Sequence, residues 1–179
     1  MPLDHLVRKD SRIGMDETNA KLDAERKLLR HTLATLAYRG GKAISNAPDH
    51  FATFRVYETT RTPAEILAHI GDLLDWALRT VQGKQIYKRS SPLPWEEESA
   101  RFFAALKALD SCLASNLPLG CPAEKLFQGP IADALTHVGQ LTLLRRIAGA
   151  RIRGENYFAA EIEAGRVGAD QSMKRMEFD

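Results

Sequence analysis

The chain of 179 residues is long enough for one domain with its own core, and its composition, 44% hydrophobic and 27% charged, excludes global disorder. Its 25 Lys and Arg residues against 23 Asp and Glu give a formal net charge of +2, without the concentrated basic field that a nucleic-acid-binding protein needs. No apolar run is long enough for a transmembrane helix, and residues 1–10 lack the apolar stretch of a secretory signal. From its length we expect the chain to form a single domain, residues 1–179. Two cysteines cannot build a disulfide framework, so we expect the protein in the reducing cytoplasm.

The first predicted helix covers residues 17–38. Leucines in this stretch recur at spacings of three, four and seven, the period of an amphipathic helix. The polar residues 1–15 before it are predicted to form a loosely held arm, and Gly40 with Gly41 is predicted to stop the helix.

The second predicted helix, residues 64–81, has the clearest start signal in the sequence. Thr62 is placed as the N-cap, Pro63 occupies the first helical position, and Glu65 completes a capping box. A strict apolar stripe follows, and Gly83 is predicted to end the helix.

Two more amphipathic helices are predicted, over residues 95–115 and 131–148, after loops rich in Pro and Gly. A short helix is predicted over 157–163, and residues 166–179 are expected to form a loose charged tail. Because each long helix has only one apolar stripe, the four must share a core. The predicted fold is all-α, an antiparallel four-helix bundle with long connecting loops and little or no sheet.

The fourth predicted helix contains a possible metal-binding pair, Asp133 and His137. Residues four apart lie one above the other on a helix, with β-carbons about 5–6 Å apart, close enough to share a metal ion. A third ligand must come from another helix, and His69, beside the apolar stripe of the second helix, is the natural candidate. The same residues also fit a metal-free alternative, in which His69 is a hydrogen-bonded core histidine and the pair on the fourth helix is a surface contact.

Two motifs resemble the DinB-like superfamily of four-helix-bundle metalloproteins, also called YfiT-like or damage-inducible. Residues 66–72, ILAHIGD, are similar to the family's second-helix segment with its single metal-binding histidine, His69 here. Residues 133–140, DALTHVGQ, are similar to its H-x-x-x-H-x-G-Q segment, with His137 matching and Asp133 standing where the family usually has another histidine. The resemblance covers roughly residues 17–148.

The resemblance implies a site of His69, Asp133 and His137 that holds a divalent ion such as zinc, nickel or iron, since two imidazoles and a carboxylate suit these metals. It implies a thiol-dependent transferase, isomerase or hydrolase acting on a small molecule, and a homodimer. The alternative is a non-catalytic bundle that binds a small ligand or a partner protein.

Three neighbours of the proposed ligands have predicted roles. Asp72, one turn from His69, is either an acceptor that orients the His69 ring or a solvated surface acid. Glycine inside a helix is unfavourable, so something should compensate for Gly139, and the close approach of another helix beside the site is one such reason. Gln140 either makes a hydrogen bond at the site or is simply exposed.

Overall fold

The computed structural model describes residues 4–178, with side chains from residue 20 onward. The long helices of this part are α1 (Asp4–Ile44), α2 (Pro63–Val81), α3 (Trp95–Ala114) and α4 (Ala132–Ile147). The described strands are only two residues long: β1 (Gly154–Glu155) pairs antiparallel with β2 (Glu177–Phe178). The predicted all-α class is therefore confirmed.

Helix α1 is longer than predicted at its N-terminal end. It begins at Asp4 instead of near residue 17, so residues 4–15, expected in a loose arm, form its first turns. Residues 1–3 of the expected arm lie outside the described part of the chain.

Helix α1 also continues to Ile44, so the prediction that Gly40 and Gly41 stop it is wrong. The two glycines lie against aromatic side chains of α3. A β-carbon at Gly40 would lie 2.5 Å from Cζ of Phe102, and one at Gly41 would lie 3.3 Å from Cζ of Phe103. The missing side chains therefore make room for two aromatic rings.

Helix α2 matches its prediction. The Thr62 side chain accepts a hydrogen bond from the Glu65 backbone N–H at 3.2 Å, and the Glu65 carboxylate accepts one from the Thr62 N–H at 2.7 Å. Gly83, with φ of 78°, follows the C-terminal end in the left-handed conformation that glycine adopts without strain.

Helices α3 and α4 lie within one or two residues of their predicted bounds. Helix α4 does not begin from a loop. A single helical turn, Ala123–Leu126, leads through a π-helical segment, Phe127–Ile131, into it, with non-helical φ and ψ at Gly129. Gly149, with φ of 75°, follows the C-terminal end of the helix in the left-handed conformation.

Helices α1 and α2 each pack against both α3 and α4. The shared core is built from the apolar stripes of all four helices, including Leu33, Leu74, Leu106 and Leu141, none of which is exposed to solvent. This packing makes α2 and α4 neighbours, which is the condition for their polar residues to meet.

The chain after α4 returns to α1. Glu155 of β1 accepts hydrogen bonds from the Tyr38 hydroxyl and from Nζ of Lys42, the latter at 2.7 Å, and Lys42 also pairs with Glu177 of β2 at 2.7 Å. The predicted short helix at 157–163 is wrong, because residues 157–160 form a turn and residues 161–163 are irregular. Glu177 and Phe178, which were predicted to lie in a loose tail, instead pair with β1.

The described helices contain no stretch that is both long and apolar enough to cross a lipid bilayer.

Candidate metal centre

The structure brings together all three sequence-predicted ligands. His69 lies on α2, and Asp133 and His137 lie one turn apart on α4. One potential ligand atom from each residue can be chosen so that all three lie within 4.8 Å of one another. This trio could hold a metal ion.

The Asp133 carboxylate faces both imidazole rings. One oxygen lies 3.7 Å from Nε2 of His69, and the other lies 3.4 Å from Nε2 of His137. The two ring centroids are 4.7 Å apart, in an edge-to-face arrangement. The His69 and His137 side chains are 20% and 11% exposed, whereas Asp133 is 48% exposed, so the site opens to solvent on the Asp133 side.

The second ring nitrogen of each histidine, Nδ1, contacts a neighbouring polar group. Nδ1 of His137 lies 2.7 Å from Oε1 of Gln140, a carbonyl oxygen that can only accept, so this nitrogen donates. Nδ1 of His69 lies 3.1 Å from the Tyr87 hydroxyl. Both Nε2 atoms therefore point toward Asp133 while the opposite nitrogens have other partners.

Gln140 therefore makes a hydrogen bond at the site, which is one of its two predicted roles. Gly139 does not have its predicted role: a β-carbon there would have nothing within 4 Å, so no neighbouring helix requires a glycine.

Both predicted roles for Asp72 are wrong. The residue is 2% exposed and accepts hydrogen bonds from the Ser90 backbone N–H at 2.9 Å, the Ser90 hydroxyl at 2.7 Å and Nη2 of Arg101 at 2.6 Å. It therefore fastens the segment between α2 and α3 to α2, and this segment carries Tyr87, the actual partner of His69.

The surroundings of the His69 ring favour its neutral form. Burial lowers its pKa below the ordinary value, and the nearby His137 and Arg61 lower it further, against the opposing effects of Asp133 and Asp72. Because a metal binds the unprotonated imidazole, a lowered pKa widens the pH range over which His69 is available as a ligand.

Two clefts meet at the trio, and both are lined by Arg61 and His69. The first, which we call the polar cleft, has a volume of about 570 Å³ and is further lined by residues that include Tyr87, Arg89, Ser90 and Ser91. The second, the apolar cleft, has a volume of about 520 Å³ and is further lined by residues that include Ile66, His137, Leu143 and Leu144. Cavities of this size suit small molecules.

Sequence reasoning missed Arg61, Tyr87 and Arg89. All three precede or follow α2, in segments with no helical period, so no spacing rule could connect them with α4. A tyrosine and arginines near a Pro- and Ser-rich loop are common in any sequence, and only the folded chain shows what they approach.

No family model, curated protein or solved structure matches this chain.

Proposed function

We propose that His69, Asp133 and His137 bind one divalent metal ion and that the chain is a metal-dependent protein acting on a small molecule. The observation that carries the proposal is the convergence of one ligand atom from each residue within 4.8 Å of the others, next to two clefts. Two imidazoles and one carboxylate form a ligand set that zinc, nickel and iron accept.

The spacing of the trio supports this proposal. Metal–ligand bonds of about 2.0–2.2 Å at tetrahedral angles separate neighbouring ligand atoms by about 3.3–3.6 Å. One Asp133 oxygen lies 3.7 Å from Nε2 of His69 and the other lies 3.4 Å from Nε2 of His137, so each carboxylate–imidazole separation, taken to its own oxygen, is close to that range.

The outer contacts support it as well. A metal-binding histidine usually donates its second ring N–H to a neighbouring acceptor, which fixes the ring and its tautomer. His137 makes this contact with Gln140, and His69 can make it with Tyr87. Such contacts leave the Nε2 lone pairs facing Asp133, ready for a shared ion.

The bound ion would supply Lewis acidity and lower the pKa of a water or thiol beside it. The chain's own residues would do the rest. His69 and His137 close the inner side of the site against the core, the exposed side of Asp133 leaves an approach for substrate, and the Tyr87 hydroxyl lies at the edge of the polar cleft.

Within this proposal the helices form an antiparallel four-helix bundle of the DinB-like kind, and the reaction is a thiol-dependent transfer, isomerisation or hydrolysis. The packing of α1 and α2 against both α3 and α4 supports the bundle. The motifs of residues 66–72 and 133–140, which meet at the trio, support the family.

We also propose a homodimer with a helix-on-helix interface. Leu22 and Leu28 on α1 are 40% and 67% exposed and provide apolar surface for such a contact. Light scattering at micromolar concentration should give twice the chain mass, and a monomer would contradict the dimer.

The test of the metal site is metal analysis of protein purified without chelator, followed by competition with a zinc-binding dye. We expect one ion per chain, a loss of at least 100-fold in zinc affinity for His137→Ala and Asp133→Ala, and retained binding for Asp133→His. His31→Ala and Asp23→Ala, which change exposed residues of α1, are the matched controls and should bind as the wild type does. A folded protein that takes up no zinc, nickel or iron, or an Asp133→Ala variant with unchanged affinity, would overturn the proposal.

A further inference from the structure

The polar cleft has two exposed arginines among its lining residues. Arg61 and Arg89 both line it, and neither guanidinium has a hydrogen bond or an ion pair with any residue that the structure describes. Arg61 also borders the apolar cleft, so one of the two positive charges stands where the clefts meet.

The acidic residues of the same cleft are already engaged elsewhere. Asp72 is bound to Arg101 and Ser90, and Glu65 accepts from the Thr62 backbone N–H and pairs with Arg55 at 3.3 Å. Among the described residues, no acidic side chain of this cleft is therefore paired with Arg61 or Arg89, and the polar cleft favours a negatively charged group.

The neighbouring cleft has the opposite character. Ile66 and Leu144 are buried in its wall, and Val56 and Leu143 are 50% and 56% exposed at its edge. These aliphatic side chains offer an apolar body a place to leave water. The trio adjoins both environments through His69, which lines both clefts.

We propose that the substrate is a small carboxylic acid with an apolar body, its carboxylate held by Arg61 and Arg89 and its body held by the apolar cleft. This inference rests on the proposed function, which places the reaction at the trio, and it adds the class of substrate. The planar fork of a guanidinium matches a carboxylate in two parallel hydrogen bonds, which gives orientation as well as affinity. Glu65 lines the same cleft, and its carboxylate stays negatively charged in its contact with Arg55, so a second negative charge on the ligand is disfavoured. Such an acid would span the junction of the clefts and present its middle atoms to the trio.

The test uses metal-free protein and isothermal titration calorimetry, so that binding does not depend on a metal. The probes are 3-phenylpropionate, its neutral amide 3-phenylpropanamide, and phenyl phosphate. We expect 3-phenylpropionate to bind and the amide to bind at least about tenfold more weakly, because charge-assisted hydrogen bonds are the strong ones. Phenyl phosphate should not bind more tightly than the carboxylate, because the Glu65 carboxylate in the cleft opposes a second negative charge.

Arg61→Gln and Arg89→Gln should each weaken binding of 3-phenylpropionate about tenfold, with circular dichroism unchanged because both side chains are exposed. Arg151→Gln removes the same charge from an exposed residue after α4 and should leave the affinity within about twofold. Equal binding of acid and amide, or equal losses in all three variants, would overturn the inference. Tighter binding of phenyl phosphate would overturn the carboxylate assignment.

Zinc binding to the same samples separates this inference from the proposed function. Arginine-dependent binding of 3-phenylpropionate in a protein that takes up no metal would support the anion subsite and overturn the metal site. Zinc uptake together with arginine-independent probe binding would support the metal site and overturn the anion subsite.

Discussion

The carboxylate of Asp72 accepts two hydrogen bonds from Ser90, one from the backbone N–H at 2.9 Å and one from the hydroxyl at 2.7 Å. Asp72 lies on α2 one turn from His69, and Ser90 lies on the segment that carries Tyr87 and Arg89. Arg101 of α3 completes the arrangement by donating to both Asp72 and Ser90. This contact between α2 and α3 thus determines where the helix-free segment, residues 84–94, approaches the trio of His69, Asp133 and His137.

Asp72→Asn should therefore loosen this segment and destabilise the protein. We expect the free energy of unfolding in urea to fall by about 1–3 kcal/mol, because the change leaves buried hydrogen-bonding groups without their full set of partners. Amide hydrogen exchange over residues 84–94 should also become faster.

Asp75→Asn is the matched control. Asp75 contacts the same Arg101 at 2.9 Å, but its side chain is 34% exposed and it has no bond to Ser90. Its loss should cost less than about 1 kcal/mol, as exposed ion pairs do. Equal effects of the two variants would show that Asp72 acts only as a counter-ion of Arg101.

The groups that orient the two rings should matter for metal affinity without being ligands. Gln140→Met removes the acceptor of the His137 ring N–H, and Tyr87→Phe removes the hydroxyl beside Nδ1 of His69. Each change should weaken zinc binding about 10–100-fold, the usual effect of removing such a partner, while the stoichiometry remains one ion per chain. Tyr57→Phe, which removes a hydroxyl from a 67% exposed tyrosine, should leave the affinity unchanged. Loss of the bound ion altogether in Gln140→Met would mean that Gln140 is itself a ligand.

Structural features that depend on local spacing could be predicted from the sequence, whereas features that depend on how segments pack could not. The capping box of Thr62 and Glu65 is a contact between residues three apart, so it could be read directly. Asp133 and His137 are likewise close in sequence, four residues apart on one helix. His69 could be predicted as the third member of the trio because this required only that α2 and α4 be neighbours. Tyr87 could not be found in this way, because its place beside His69 depends on the folded path of a segment with no regular period.

Acidification should reveal the lowered pKa of His69 in the metal-free protein. Burial, His137 and Arg61 lower this pKa below 6.5 in the folded state, while the unfolded chain takes up its proton near 6.5. Between these two values the unfolded state binds more protons, so the contribution of His69 to folding stability decreases as the pH falls below about 6.5 and is constant above it. The ring resonances of His69 in an NMR titration should give a midpoint below 6.5. In urea unfolding, His69→Gln should remove this part of the pH dependence, and a midpoint at or above 6.5 would contradict the assignment.

Two glycines within helices should respond in opposite ways to the same substitution. Gly40→Ala would place a methyl group 2.5 Å from Cζ of Phe102, a ring that is itself only 1% exposed and has little room to move. Overfilling a packed core in this way typically costs about 1–3 kcal/mol. Gly139→Ala would place the same methyl group in open space, and alanine is more favourable than glycine inside a helix by about 0.5–1 kcal/mol, so the variant should be more stable than the wild type. Urea unfolding of both variants measures the two signs directly, and zinc affinity of Gly139→Ala should stay unchanged because Gly139 contacts none of the ligands. A stabilised Gly40→Ala would mean that α1 and α3 do not approach one another as described, and a destabilised Gly139→Ala would reveal a contact at that face of α4 made only in an assembly.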